Sequence, residues 1–333
     1  MTIVDFLVDL AVDPQALARF RLDPEAAMAA AGLSEAERTA IREGKVELPL
    51  RTFQQHDIEV TVHRHGVVEP LIESTGDPLD RKGLTVVGLG ITALQTTAEA
   101  RVCISQASKV LYLVTDSVSV AFIQKLNPTA ETLENFYERG KLRIEIYNAM
   151  VEKIVSCLEK SGDLCVVFYG HPGVLCYPAR EALRRAREKG FSARMLPGVS
   201  AEDNLVANLG IDLVSLQSYE ATAFLTYGCH IDVAAGLILW QVDVLGERRW
   251  DPPHTAVLGR LQILSDYLAG FYGRDHQVVL YRAAVLPSGR PEIERLALGD
   301  LPGAKLLYGA TLYVPPKEPP KPDLDMAKRL GLV

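Results

Sequence analysis

The chain is poor in cysteine, in long apolar runs and in positive charge. Five cysteines are spread over 333 residues, at 103, 157, 165, 176 and 229. Their number is odd and no two form a C-x-x-C pair, which argues against a disulfide framework or a zinc ribbon and fits a reducing compartment. The longest apolar run, Ala234 to Val242, is interrupted by Gly236 and Gln241. It is far shorter than the about 20 residues of a spanning helix, so no membrane segment is expected. The opening residues, MTIVDFLVDLAVDP, contain Asp5 and Asp9 and no lysine or arginine, which is not the pattern of a secretory signal. Lys and Arg total 35 against 42 Asp and Glu, a net charge of −7. A bulk nucleic-acid binder would show a basic stripe instead. A cytoplasmic protein that binds neither nucleic acid nor membrane is the expectation.

What is present is ordinary globular composition, 48% apolar and 23% charged, which excludes wholesale disorder. The length suggests two domains, and the chain divides into four stretches. Residues 1–48 read as a small all-α unit. Ile3, Phe6, Leu7 and Leu10 recur at helical spacing, Asp13-Pro14 and Asp23-Pro24-Glu25 place a capping residue before a helix-initiating proline, and Ser34 to Glu37 is a capping-box pattern. Gly32 and Gly44 are helix stops. A unit this short must dock on something to be stable. Residues 49–82 form a polar connector whose 58–63 segment alternates like a strand before glycines and prolines break it.

Residues 83–314 alternate strand and helix, the pattern of a parallel-rich α/β fold. LTVVGLG is a strand followed by a helix from about Thr92 to Ser108, and KVLYLVT is a second strand. A long helical stretch covers about Ala130 to Lys160, DLCVVFYG is a third strand, and a helix follows from about Pro178 to Lys189. ARMLPG is a fourth strand, with a helix opening at Ser200. LVSLQSYE, GLILWQVD, QVVLYRA, EIERLAL and ATLYVPP read as further strands, two of them joined by a hairpin around Pro287-Ser288-Gly289. Residues 315–333 form a proline-rich tail, a stiff extended spacer with a short segment at its end.

Several segments carry candidate chemistry. Gly88, Gly90 and Ala93 fit G-x-G-x-x-A after a strand, with Asp116 ending the next strand. The pattern is that of a dinucleotide fingerprint, but Asp116 lies further on than the about 20 residues that fingerprint requires, and a plain βα turn accounts for it as well. Gly170-His171-Pro172-Gly173 at the end of the third strand makes an open loop of the kind that binds ligands in α/β sheets. His63-Arg64-His65 offers metal ligands, yet reads more simply as an exposed strand, and no metal is expected. Ser200 is an N-cap with Glu202 and Asp203 in the first turn, which disfavours a phosphate there. Arg143 and Tyr147 share a helical face, and Tyr137 lies before them across the Arg139-Gly140 break. Two phenols around a guanidinium can hold a carbonyl oxygen and take a nearby proton. A surface arginine beside two half-buried tyrosines is the plainer alternative.

Together these segments resemble the tetrapyrrole-methylase-like class (class III) of S-adenosylmethionine-dependent methyltransferases, a two-lobed α/β fold, and within it the borosin peptide-backbone α-N-methyltransferases. The resemblance covers roughly 83–315. It rests on VVGLGIT, FYERGKLRIEIYNAMVEKI, VVFYGHPGV, MLPGVSAEDNLVANLGID, SYEAT, LWQVD and ATLYVPP. RLDPEAAMAAAGLSEAERTAIREGKVE resembles the helical recognition domain of borosin precursors, here preceding the enzyme in one chain.

The resemblance implies catalytic roles for Tyr137, Arg143 and Tyr147, while Glu134 stands where the family has a further tyrosine. It implies that Gly88, Gly90, Tyr169, His171, Val174, Leu175, Ser200, Ala201, Gln241 and Thr311 bind S-adenosylmethionine, leaving S-adenosylhomocysteine as product. Ala310-Thr311 replaces a Ser-Thr pair, so one hydroxyl is missing. It displaces the nicotinamide reading of the glycine turn. It further implies a homodimer acting on a precursor peptide of ribosomal origin, or on the chain's own 49–82 segment. Alternatives are a small-molecule or tetrapyrrole C-methyltransferase and a catalytically weak peptide-binding homologue.

Overall fold

The computed structural model describes residues 2–43, 82–114, 116–252, 257–286, 288–306 and 308–333. The expected strand at 58–63, the His63-Arg64-His65 run, the core-like 49–82 segment, Pro287 and the stop at Gly44 lie outside these residues. The chain forms two units. One comprises Met1–Leu209, Arg248–Pro252 and Ala283–Pro291, and the other comprises Gly210–Glu247, Pro253–Arg282 and Glu292–Val333.

The first unit opens with α1 (Ile3–Val12), α2 (Pro14–Leu22), α3 (Pro24–Ala30) and α4 (Glu35–Glu43). Each start is set by side chains that satisfy otherwise orphaned N–H groups. Asp13 accepts from Gln15 N at 2.8 Å and Asp23 from Ala26 N at 3.0 Å. Ser34 and Glu37 cap α4 reciprocally, at 2.8 and 3.3 Å. Gly32 ends the α3 turn with φ +72°, where a side chain would be strained.

Behind these helices stands a five-stranded parallel sheet in the order β3-β2-β4-β1-β5. The elements that build it are β1 (Gly83–Gly88), α5 (Ala98–Gln106), β2 (Lys109–Leu113), α6 (Ser117–Leu126), β3 (Glu131–Thr132), α7 (Arg143–Ser161), β4 (Asp163–Phe168), α8 (Tyr177–Glu188), β5 (Ala193–Met195) and α9 (Ala201–Leu209). The central strands read as continuous apolar runs because both faces are covered. Leu84, Val86, Val166 and Phe168 pack with α7 and α8, while Val87, Val110, Cys165 and Val167 pack with α5 and α6. The outer side of α6 receives α1: Phe6, Leu7, Leu10, Met28 and Leu33 share a buried cluster with Val118 and Leu286. Lys125 pairs with Asp9 at 2.7 Å, and Arg101 donates to the Ala11 carbonyl at 2.9 Å. The small helical unit therefore docks, as its size demands.

Two helices start later than the sequence suggests. After β1 the chain makes one 3-10 turn, Ala93–Gln95, and α5 begins only at Ala98, capped by Thr97. The Gln95 side chain folds back onto the Ile91 and Thr92 N–H groups and closes the first turn. The expected helix from Ala130 is a short strand, a 3-10 turn at Glu134–Phe136 and a loop, with α7 starting at Arg143.

The second unit contains β6 (Leu216–Glu220), α10 (Ala221–Thr226), β7 (Gly236–Trp240), α11 (Val257–Tyr272), β8 (Gln277–Arg282), β9 (Glu292–Ala297), β10 (Thr311–Val314) and α12 (Leu324–Arg329). Its sheet runs β6-β7-β10-β8-β9. Only β6 and β7 are parallel; the other pairs are antiparallel. The parallel-rich expectation thus holds for the first unit alone. Without a helical crossover between them, β8 and β9 fold back on each other, as the expected hairpin requires. Leu237, Leu239, Leu280 and Leu312 pack under α11 through Leu261, Leu264 and Leu268. Residues 316–325 are exposed, and Asp323 caps α12.

Candidate active site

Strand order fixes where a ligand enters the first unit. The connection leaving β1 runs through α5 to β2 on one side, and the connection leaving β4 runs through α8 to β5 on the other. β1 and β4 are neighbours, so a crevice opens between their carboxyl ends, the topological switch point of an open parallel sheet. Residues 88–90 and 169–175 emerge there.

Gly88 serves close approach, but what approaches is this chain's own backbone. A Cβ there would overlap the Gly170 carbonyl oxygen, and a Cβ on Gly198 would lie 2.9 Å from the same oxygen. Gly90 and Gly170, with φ of +84° and +69°, bridge each other, Gly170 N donating to the Gly90 carbonyl at 2.9 Å. Gln95 Nε2 donates to Asn204 Oδ1 at 2.7 Å, and Asn204 donates to the Ser200 carbonyl at 2.9 Å. The loops after β1, β4 and β5 are thereby stitched into one rim. Gln95 and Asn204 escaped the sequence reading, although Thr92 to Gln95 has capping spacing.

His171 Nδ1 accepts from Gly173 N at 2.9 Å, which leaves the ring proton on Nε2. Tyr169, His171 and Leu175 are half-buried, and Val174 is exposed. Leu175 has φ +48° and Gln241 φ +64°, the two non-glycine residues among those described that take the left-handed region. That conformation costs about 1–2 kcal/mol and clusters at ligand sites. The Ser200 hydroxyl accepts from Asp203 N at 3.1 Å and donates to Asp203 Oδ2 at 2.7 Å. It is committed to capping α9, whose first residue is Ala201.

Asp116 is no ribose ligand. It is buried at the start of α6, accepting from Ser119 N at 2.8 Å. Burial pushes its carboxyl above the usual range, against the lowering effect of the Ser119 donors. With no helix opening at the glycine turn, the nicotinamide geometry is absent.

A second cluster gathers at the same end of this sheet, where α7 and α8 both begin. Tyr147 is buried with its ring 6.4 Å from that of Tyr177, whose hydroxyl donates to Asn148 Oδ1 at 3.0 Å. Arg143 is only 1% exposed, so the surface-arginine alternative is excluded. Tyr137 lies outside α7, after the turn holding Glu134, and its N–H donates to the Glu134 carbonyl at 2.9 Å. Its ring sits 4.6 Å from Trp250 at a 40° tilt, and the Arg143 Cζ lies 6.0 Å from the same indole. Trp250 was not a sequence candidate. Its signal was slight, one of two tryptophans in a polar loop.

Gln241 and Thr311 belong to the second unit and meet there. The register pairing Leu312 with Leu239 places them at one end of adjacent strands. Gly309 N donates to Asp243 Oδ2 at 2.9 Å and ties the two loops. Ala310 faces the apolar core, where a serine hydroxyl would need a partner. Chemically, the first unit offers a fixed cation to an oxygen that gains negative charge and phenols within the same cluster to exchange a proton. Among the described residues no helix is long and apolar enough to cross a membrane.

A family model described as Tetrapyrrole (Corrin/Porphyrin) Methylases matches residues 83–297, and one described as Borosin biosynthesis clasp domain matches residues 1–92. The helical stretch at 1–48 therefore falls inside a clasp match that runs on into β1. The chain is 40% identical over 260 residues to a methyltransferase/ribosomally synthesized cyclic peptide gymnopeptides precursor of Gymnopus fusipes, covering 75% of this chain and 61% of that one. It is 37% identical over 262 residues to a methyltransferase/ribosomally synthesized type I borosin cyclic peptide precursor of Serendipita vermifera subsp. bescii, covering 76% and 63%. The chain thus spans about three fifths of the length of these curated relatives. Among solved structures, uroporphyrin-III-C-methyltransferase from Thermus thermophilus is similar at 19% identity and a TM-score of 0.48, covering 75% of this chain and 96% of that one. With a family match running from β1 through β9, the chain belongs to the tetrapyrrole (corrin/porphyrin) methylase family.

Proposed function

We propose that the chain is an S-adenosylmethionine-dependent α-N-methyltransferase that methylates backbone amides of a ribosomally made peptide, a separate precursor or its own 49–82 segment. One observation carries this reading. A fully buried arginine opens α7 one turn before the buried Tyr147, and its guanidinium faces the same indole as the Tyr137 ring. The names of the relatives, which join methyltransferase and cyclic peptide precursor, support it.

In the first unit residues 169–175 with Ser200 and Ala201 would hold the cofactor; in the second, Gln241 and Thr311 are the positions the family resemblance assigns to it. The left-handed Leu175 and Gln241 and the oriented His171 ring fit a built ligand site. S-adenosylmethionine, when bound, supplies an electrophilic methyl group and leaves as S-adenosylhomocysteine. The residues do the rest. A peptide N–H is far too weak an acid for ordinary side chains, so the amide must gain imidate character. Arg143 stabilises the charge growing on the amide oxygen. Tyr137 or Tyr147 takes the amide proton, directly or through water. The rim of bonded loops fixes the alignment of the reacting groups.

In this reading residues 1–48 recognise the precursor, 49–82 connect, 83–314 catalyse and 315–333 are a tail. The enzyme is a cytoplasmic homodimer. Intact-mass analysis of chain made in cells, with and without a co-expressed precursor, tests it. Peptide or chain gains mass in steps of one CH₂, and tandem fragmentation places each step on a backbone nitrogen. Arg143→Ala and Tyr147→Phe lower the yield by roughly 10²-fold or more. Unchanged yield in both variants refutes the catalytic assignment. The family description favours a second reading, a tetrapyrrole C-methyltransferase. Methylation of an added uroporphyrinogen with none on peptide would select it.

A further inference from the structure

Two of the groups that the proposed chemistry uses, Tyr137 and Arg143, are not set by α7 alone. Tyr137 precedes the helix, and Arg143 is its first residue. What stands behind both is Trp250, carried by a short segment, 248–252, that belongs to the first unit although the chain before and after it belongs to the second.

The segment is fastened by its backbone. Gly140 N donates to the Trp250 carbonyl at 2.7 Å, Trp250 N to the Lys141 carbonyl at 2.9 Å, and Arg143 N to the Arg248 carbonyl at 3.0 Å. Leu142 and Arg249 form an antiparallel bridge between them. Arg249 Nη1 adds a bond to the Gly140 carbonyl at 2.6 Å. None of these bonds uses the indole. Trp250 is 6% exposed, and its indole meets the Tyr137 ring and the Arg143 guanidinium. A guanidinium stripped of water loses hydration, and the electron-rich face of an indole returns part of it within about 6 Å. At 6.0 Å the contact is at the outer edge of that range, so its value lies in direction more than in strength. The ring tells the cation and the phenol where to stand.

We propose that Trp250 is a positioning residue that sets Tyr137 and Arg143 against one indole. The proposal deepens the methyltransferase reading and rests on it for its kinetic consequence. Because the strap is held by main-chain bonds, replacing the side chain tests the indole and leaves the strap in place. Trp250→Phe keeps an aromatic face, and Trp250→Leu keeps bulk without one.

Two measurements on the full chain separate the proposal from the reading beneath it. The first is the crystal structure of each variant. Trp250→Leu displaces the Tyr137 ring and the Arg143 guanidinium while Gly140 to Arg143 keep their bonds to the strap, and Trp250→Phe holds both groups. The second is turnover with S-adenosylmethionine and a synthetic peptide of residues 49–82. The leucine variant loses roughly 10²-fold in kcat, as an ångström of misplacement can cost, with KM and S-adenosylhomocysteine affinity retained, and the phenylalanine variant recovers most of it. Should Tyr137 and Arg143 keep their positions in Trp250→Leu, the proposal is wrong whatever the kinetics. Should wild type fail to methylate the peptide, self-methylation falls while the crystallographic outcome still decides the role of Trp250. A Trp250→Leu chain that does not fold leaves Trp250→Phe and Trp250→Tyr to be compared in the same two measurements. Displacement of the pair in both overturns the idea that an aromatic face sets it.

Discussion

Arg143 and Asp116 both carry charge into the interior of the first unit, with opposite consequences. The arginine lies over the Trp250 indole. The aspartate caps α6, accepting from Ser119 N, and is almost fully buried. Burial favours the protonated form of a carboxyl, and here it outweighs the donors and raises this group. The stability consequence has a definite sign. With the folded value above the unfolded value of about 3.9, the folded state is favoured below that pH and loses the advantage as pH rises through the folded value. Asn at the same position caps as well as Asp but does not titrate. Asp116→Asn should therefore gain stability relative to wild type as pH rises from about 4 to 7, read from urea midpoints. Parallel pH profiles would refute the assignment. The same burial keeps Cys165 unreactive, its thiol pushed well above the ordinary value.

At the scale of elements, α1 shows how a weak unit becomes part of a strong one. Alone, four short helices bury too little; against α6 they share an apolar cluster. Leu7 is fully buried in that cluster. Leu7→Ala should cost about 2–5 kcal/mol. Hydrogen exchange should show α1 to α4 loosening while the β1–β4 core stays protected. Loss of protection across the whole sheet would mean that the helices and the sheet form one cooperative body. The sequence foretold these helices well because their signals are local. Asp13, Asp23 and Ser34 act within three residues of themselves, and the apolar strands are read from their own runs. It failed at Thr92 and Ala130, where helical composition is overridden by contacts: Gln95 closing back on Ile91, and the Glu131 strand pairing with β2. Tyr137, Arg143 and Tyr147 could be picked from spacing and resemblance. Trp250 could not, because its partners lie about a hundred residues earlier and only the fold joins them.

For the whole molecule, each unit ends its strands in a small set of polar or strained residues. The proposed cofactor residues fall among these sets: 169–175, Ser200 and Ala201 in the first unit, and Gln241 and Thr311 in the second. A ligand that binds only the folded chain stabilises it by mass action, about 2.7 kcal/mol at a hundredfold excess over Kd. S-adenosylhomocysteine should raise Tm in proportion to the logarithm of its concentration, and Gln241→Ala should shift that curve to higher concentration. A Tm indifferent to S-adenosylhomocysteine would remove the cofactor assignment.

The strap at 248–252 also imposes an order on synthesis. A chain leaving the ribosome presents Gly140 to Arg143 long before Arg248 to Pro252 exist, so the start of α7 emerges with N–H groups that nothing yet accepts. The whole parallel sheet can form by the time Leu209 appears, but the strap at the start of α7 cannot. A nascent chain halted before Arg248 would carry the parallel sheet without the strap, with only the Gly210–Glu247 stretch of the second unit already made.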